Sequence, residues 1–260
     1  RVEDAPMLGG FEVAGRGTLH LGILIENMRR EGFEFQVARP RVIFREEDGV
    51  RMEPIELMTV QCPEESAGRV IELMGSRRGE MLKFEPQASR IRLEFRVPSR
   101  GLIGIHTRIM NLTKGQAIVH HSYHDYEPYK GEVPQRKSGV MVSHETGTAV
   151  PYALYGLRDR GPMFVPPGTA VYEGMIVGEH CKDKDIVVNV CKEKKQSNMR
   201  AAGSDENVIL TPPRRMSMEE ALEYIVDDEL LEVTPKTYRL RKRHLNEKNR
   251  KRADRLGTDI

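Results

Sequence analysis

The chain has 260 residues, 38% hydrophobic, 31% charged and only 6% aromatic, with no Trp. That apolar share supports a packed core and excludes a disordered chain, and the length fits two or three small domains. The net charge of +2 is uneven: residues 236–260 carry ten Lys/Arg against three acids, which leaves the rest at −5 and points to a polyanionic partner.

In chain order, FEVA (11–14) alternates as a strand and GRG follows it. A helix is predicted from Thr18 to Arg30, because Leu21, Leu24, Ile25 and Met28 fall at i, i+3, i+4 and i+7. Thr18 is read as its N-cap and Gly32 as its stop. FEFQVAR (33–39) completes a strand–helix–strand unit. The pattern then recurs in full: strand 55–62, helix 65–79, strands EMLKFEP and RIRLEFRVP, helix 102–115 and strand 117–123. The order β-α-β-β-α-β is that of a ferredoxin-like plait. From about Tyr126, Pro and Gly multiply and the predicted strands are short (GVMVS, ALYGL, AVYEGMIVGEH, DIVVNVC, ENVIL), which reads as a mostly β domain. One helix is expected in it, opened by the capping box Ser217–Glu220 and running through MEEALEYIVDDELLE, with seven acids between Glu219 and Glu232. The fold class expected is therefore α+β: a partial plait over 1–48, a complete one over 49–125, and a β-rich domain with a basic tail over 126–260.

No apolar run reaches the ~18 residues of a membrane span, and the first ten residues lack an apolar signal core, so neither membrane insertion nor secretion is expected. The chain has no initiator Met and reads as a fragment. Three cysteines, Cys62, Cys181 and Cys191, are too few for a disulfide framework and suit a reducing cytoplasm.

The residues give little support for catalysis. No Gly is followed by Lys, so a Walker A loop is excluded. Gly15-Arg16-Gly17 is better explained as a tight turn than as a dinucleotide fingerprint. His120, His121, His124 and Asp125 are dense enough to consider as metal ligands, but their spacing matches no established metal site. Nothing resembles a nucleophile elbow. Basic clusters are the stronger signal. KEKKQSNMR (192–200) places Lys192, Lys194, Lys195 and Arg200 on one loop with Asn198, and this loop is expected to project. Arg214 and Arg215 form a second cluster. Arg239, Arg241, Lys242, Arg243 and His244 head a third, which continues through Lys248, Arg250, Lys251 and Arg252. Guanidinium forks clamp phosphate oxygens, and without aromatics beside the clusters, recognition of RNA shape and backbone is expected rather than base readout.

GRGTLHLGILIENMRREGFE (15–34) resembles the third domain of translational GTPases of the elongation factor G type, and SRGLIG (99–104) resembles their fifth. GEVPQRKSGVMVS, ALYGLRDRG, VYEGMIVGEH, NMRAAGSDE and PPRRMSMEEALEYIVDDELLEVTPKTYRLRKRHL are similar to the C-terminal domain that sets the TypA/BipA family apart from LepA. Thr18 stands where the family often has Glu. The resemblance implies the ribosome-binding portion of a ribosome-associated GTPase. The GTPase domain and its GTP and Mg would lie outside this chain, so the chain itself is expected to be non-catalytic, with no cofactor of its own. It further implies a cytoplasmic monomer that contacts rRNA, large-subunit proteins and the tRNA acceptor end in the factor site. Roles in large-subunit assembly, stress-responsive translation and virulence control follow from the same resemblance, and residues 192–204 match the loop at the tip of the family's C-terminal domain. The alternative is a GTP-independent module that binds or chaperones structured RNA.

Overall fold

The computed structural model describes residues 1–5, 9–87, 89–133, 136, 138–193 and 210–256. The architecture is α+β. The chain divides into two compact units, residues 1–39 with 136–260 and residues 40–135. The first 39 residues thus group with the C-terminal part instead of standing as a separate partial plait.

The elements in chain order are β1 (Val2–Asp4), β2 (Phe11–Val13), α1 (Thr18–Arg30), β3 (Phe35–Ala38), β4 (Arg45–Glu47), β5 (Val50–Pro63), α2 (Glu64–Ser76), β6 (Glu80–Gln87), β7 (Arg90–Pro98), α3 (Ser99–Leu102), α4 (Ile105–Leu112) and β8 (Ile118–Pro128). There follow β9 (Val140–Ser143), β10 (Gly147–Thr148), α5 (Pro151–Leu157), β11 (Ala170–Val171), β12 (Ile176–Glu179), β13 (Ile186–Val188), α6 (Met218–Tyr224), β14 (Glu229–Val233), β15 (Tyr238–Lys242) and α7 (Glu247–Leu256).

The 40–135 unit is the complete plait. Its strands run in the order β8-β5-β7-β6, all antiparallel, with β4 added beside the start of β5. Ala67, Val70 and Met74 of α2, with Ile105 and Ile109 of α4, pack on Met58, Val60, Leu93, Phe95 and Val97. Each of these side chains other than Ala67 contributes about 1.5–3 kcal/mol through burial. β5 changes its buried face midway: Met58, Val60 and Cys62 are buried at one parity, Glu53 and Ile55 at the other. The change coincides with a bulge against β8, where His124 is the extra residue between Tyr123 and Asp125. The helix C-termini differ in detail from the sequence reading. The left-handed position after α2 is Arg78 (φ 61°), one residue before Gly79.

The other unit has two small three-stranded sheets, β15-β14-β3 and β12-β9-β13. All four residues of β9 are buried. Val140 and Val142 join α1, α6 and β14 in one core, while Met141 joins Leu154, Val177 and Val188 in another. The strand–helix–strand run forms, but its strands enter different sheets: β2 pairs with β1, and β3 pairs with β14. Gly17 is the N-cap of α1, with Thr18 the first helical residue. Gly32 ends the helix as expected: at φ +96° its N–H donates to Arg29 O, and that of Phe33 to Met28 O. Ile25 is buried in the core and Leu21 and Met28 are half-buried, whereas Leu24 stays 38% exposed.

Two segments depart from expectation. ALYGL is helical within α5, because Pro151 at the first helical position presets the turn and Ala153 and Leu154 bury one side. The acidic helix opens with the expected capping box but stops at Tyr224, and ELLEV forms the central strand β14. That stretch fits both periods; pairing on both edges, with β3 and with β15, decides for the strand. The expected strand ENVIL lies outside the described residues up to Leu210.

Candidate nucleic-acid interface

β15 sorts the basic residues by strand alternation. Leu240 points into the core, so Lys242 does too, while Arg239 and Arg241 lie at the opposite parity. Across the ladder Lys242 faces Glu229, which shares the inward parity of Leu231 and Val233. Lys242 is only 3% exposed. Its Nζ lies 2.6 Å from Asp185, 2.7 Å from Asp228 and 3.0 Å from Glu229. Burial pulls the Lys242 pKa down, but the three carboxylates outweigh it and the net shift is upward. Glu229 also takes a two-pronged contact from Arg136, at 2.9 and 3.1 Å, and the Arg136 guanidinium lies 4.3 Å from the centre of the Tyr224 ring. Lys242 is therefore a correction to the predicted phosphate contacts. It is enclosed by carboxylates and holds the fold.

The remaining candidates separate by exposure. Arg243 is half-buried, with its guanidinium donating to Asp227 O at 3.3 Å. Arg241 is half-buried and donates to the carbonyls of Lys242 and Arg243 at 3.1 and 3.2 Å. Arg239 is half-buried and pairs in register with Glu232, whose carboxylate accepts from the Tyr172 hydroxyl at 2.5 Å. Arg214 is exposed but tied to Glu179 at 2.9 Å. Lys192, Arg215 and His244 are exposed. Lys194, Lys195, Asn198 and Arg200, with most of the expected projecting loop, lie outside the described residues.

The tail adds a feature that the sequence reading missed. α7 carries Lys248, Lys251, Arg252 and Arg255 at i, i+3, i+4 and i+7, and all four are exposed. They form one cationic stripe. The signal was the helical spacing within the charge run, which a simple count of charges does not show. The helix is seated from its first residues. Gly174 (φ +88°) leaves room for Leu245, whose Cα would stand 2.6 Å from a Cβ at position 174, and the Glu247 N–H reaches the Glu173 carboxylate at 3.4 Å.

The histidines do not converge. His121 Nδ1 lies 2.5 Å from the Glu56 carboxylate, His120 stands opposite Thr59, and His124 is the bulge residue. The hydrogen bond to Glu56 raises the pKa of His121. Burial pushes Glu56 up, but the hydrogen bonds from His121 and Ser99 and the charge of His121 outweigh it, and the net shift there is downward. A groove of about 310 Å³ beside them is lined by Leu57, Thr59, Leu82, Glu94, His120 and His121. Among the described residues no three His, Cys, Asp or Glu are grouped to hold a metal ion, and no helix is long and apolar enough to cross a membrane.

Residues 50–137 match the family model for the elongation factor G C-terminus, and residues 138–247 match that for the TypA/BipA C-terminal domain. Among curated proteins, the large ribosomal subunit assembly factor BipA of Escherichia coli strain K12 is 49% identical over 100% of this chain and 43% of its own length. The protein of the same name from Bacillus subtilis strain 168 is 51% identical over 97% of this chain and 42% of its own. That from Haemophilus influenzae is 47% identical over 99% and 42%. The chain thus spans less than half the length of the curated relatives it matches. Two family models meeting end to end, on a plait and on the β-rich residues that follow it, show that this chain belongs to the TypA/BipA family and carries its C-terminal portion.

Proposed function

We propose that this chain is the ribosome-binding portion of a translational GTPase that serves large-subunit assembly. The observation that carries the reading is the cationic stripe on α7, together with exposed Arg215, His244 and Lys192, in a chain 49–51% identical to proteins named large ribosomal subunit assembly factors. A stripe of four cations, one of which (Lys251) also pairs with Glu247 at 2.6 Å, suits a phosphate backbone, where each contact releases counterions. In this reading the cations grip rRNA, and the acceptor end of a tRNA lies within reach of residues 192–204. The protein acts as a cytoplasmic monomer, with its stress and virulence roles following from ribosome supply. GTP and its Mg belong to the part of the relatives that this chain does not span.

Co-sedimentation with purified large subunits, small subunits and protein-free rRNA tests the proposal. Saturable binding to large subunits, tighter than to the other two, is expected. Equal binding to free rRNA favours the GTP-independent RNA module, and no binding to any of the three contradicts both readings.

A further inference from the structure

We propose that α5 is a stacking platform for an unpaired RNA nucleotide. It rests on the proposed RNA-binding role and adds to it a base-recognition site. The helix has seven residues, PYALYGL, and buries Ala153 and Leu154. Its outer side presents two aromatic rings, Tyr152 (47% exposed) and Tyr155 (38% exposed), one turn apart. The Arg158 guanidinium lies 3.8 Å from the centre of the Tyr155 ring. It covers one face of that ring, extends the flat surface and presents donors for a phosphate. Arg160 is exposed two residues on. The opposing charge is Asp159, 3.5 Å from Arg158 and 87% exposed, which leaves the Arg158–Arg160 turn net positive.

Gly156 supplies the independent observation. It lies inside the helix, where Gly is the poorest residue after Pro. Among the described residues a Cβ there would meet nothing within 4 Å, so their packing does not call for a glycine. Helical side chains lean toward the N-terminus, so a side chain at 156 would cover the strip beside Tyr152. Its absence leaves that ring open to a flat ligand. Placement supports the same occupant: the Val150 N–H, at the N-cap of α5, donates to Val190 O at 2.9 Å, two residues before exposed Lys192. Stacked aromatics with flanking cations are how proteins hold single-stranded nucleic acid. The sequence reading placed no aromatic beside the basic clusters because these tyrosines lie some forty positions upstream.

The test is titration of the whole chain with a short unstructured adenosine–cytidine oligoribonucleotide, and with a duplex of equal length, followed by tyrosine emission. With no Trp and eight Tyr, the signal is specific to tyrosine. The single strand is expected to bind better than the duplex and to quench emission. Tyr152→Leu and Tyr155→Leu should each weaken binding about 5- to 100-fold, and Tyr152→Phe should preserve it. Gly156→Ala should raise Tm by about 1–4 °C while weakening binding several-fold. Unchanged affinity in both Leu variants, or a Gly156→Ala variant that gains stability with no loss of affinity, overturns the platform. Large subunits freed of tRNA, and tRNA alone, then identify the source of the nucleotide: quenching by either supports the platform, and quenching by neither overturns it. If the double Leu variant still sediments with ribosomes but the oligonucleotide affinity never depended on the tyrosines, only this proposal fails. If wild-type chain binds the single strand and tRNA through them but not ribosomes, the platform stands and the ribosome reading fails.

Discussion

Each unit buries one glutamate completely and answers it in the same way, yet the two sites are built at different places in a sheet. In the plait, Glu53 accepts from Arg100 at 2.5 and 3.1 Å and from the Lys130 N–H at 2.7 Å, and Arg100 lies 4.5 Å from the centre of the Tyr129 ring. In the other unit, Glu229 accepts from Arg136 at 2.9 and 3.1 Å, from Lys242 at 3.0 Å and from the Val226 N–H at 3.2 Å, and Arg136 lies 4.3 Å from the centre of the Tyr224 ring. Glu53 stands near the start of a long strand and fastens the loop beyond β8. Glu229 stands on the central strand of its sheet, opposite a second buried cation. The first fastens a connection, whereas the second occupies part of a core. A buried carboxylate is tolerated only when its partners are complete, so the size of the hole left by removing it depends on how many partners it holds.

The largest effect should come from Glu229→Ala. It leaves Arg136 and Lys242 facing each other without their shared acid and should destabilise its unit by about 3–5 kcal/mol. Hydrogen–deuterium exchange should accelerate in β14 and β15 and stay unchanged in α2 and β7. Glu53→Ala should cost less, about 1–3 kcal/mol, because it removes the acid from one buried cation, not two, while Arg100 keeps the Gly131 carbonyl and the Tyr129 ring, and exchange should rise around residues 128–131. If the two variants lost equal stability, the contrast between connection and core would not hold. The smallest effect is a pH dependence. The folded-state pKa of His121 is raised, so its contribution is complete below the ordinary imidazole value of 6.5 and fades as pH rises through the raised one. Glu56, with its pKa lowered, contributes above the ordinary carboxylate value and loses this as pH falls through the lowered one. With His121 54% exposed, the change in Tm between pH 6 and pH 8 should be small, and His121→Gln should abolish it.

The same contrast governs what could be read from sequence. The plait was legible because its helices and strands keep clean periods and its connections follow a common order. In the C-terminal part, ELLEV carries both a helical and a strand pattern, and only its neighbours β3 and β15 choose between them. Once TYRLRK is known to be a strand with Leu240 inside, Lys242 must be inside as well; read as a charge run, it looked like a phosphate contact. The α7 stripe was equally present in the sequence, but its spacing has meaning only on a helix. Reading ALYGL (153–157) as a strand hides the helical pairing of Tyr155 with Tyr152, although Pro151, two positions before that run, favours a helix start.

Exposure divides the basic residues into those that hold the fold and those that, in the proposed function, hold RNA. The most direct test is the salt dependence of large-subunit binding, measured for the wild-type chain and for a variant with Lys248, Lys251, Arg252 and Arg255 replaced by Gln. The account predicts that the slope of log K against log salt becomes shallower by about one for each lost phosphate contact, with thermal stability unchanged. A variant that binds with the wild-type slope would contradict it.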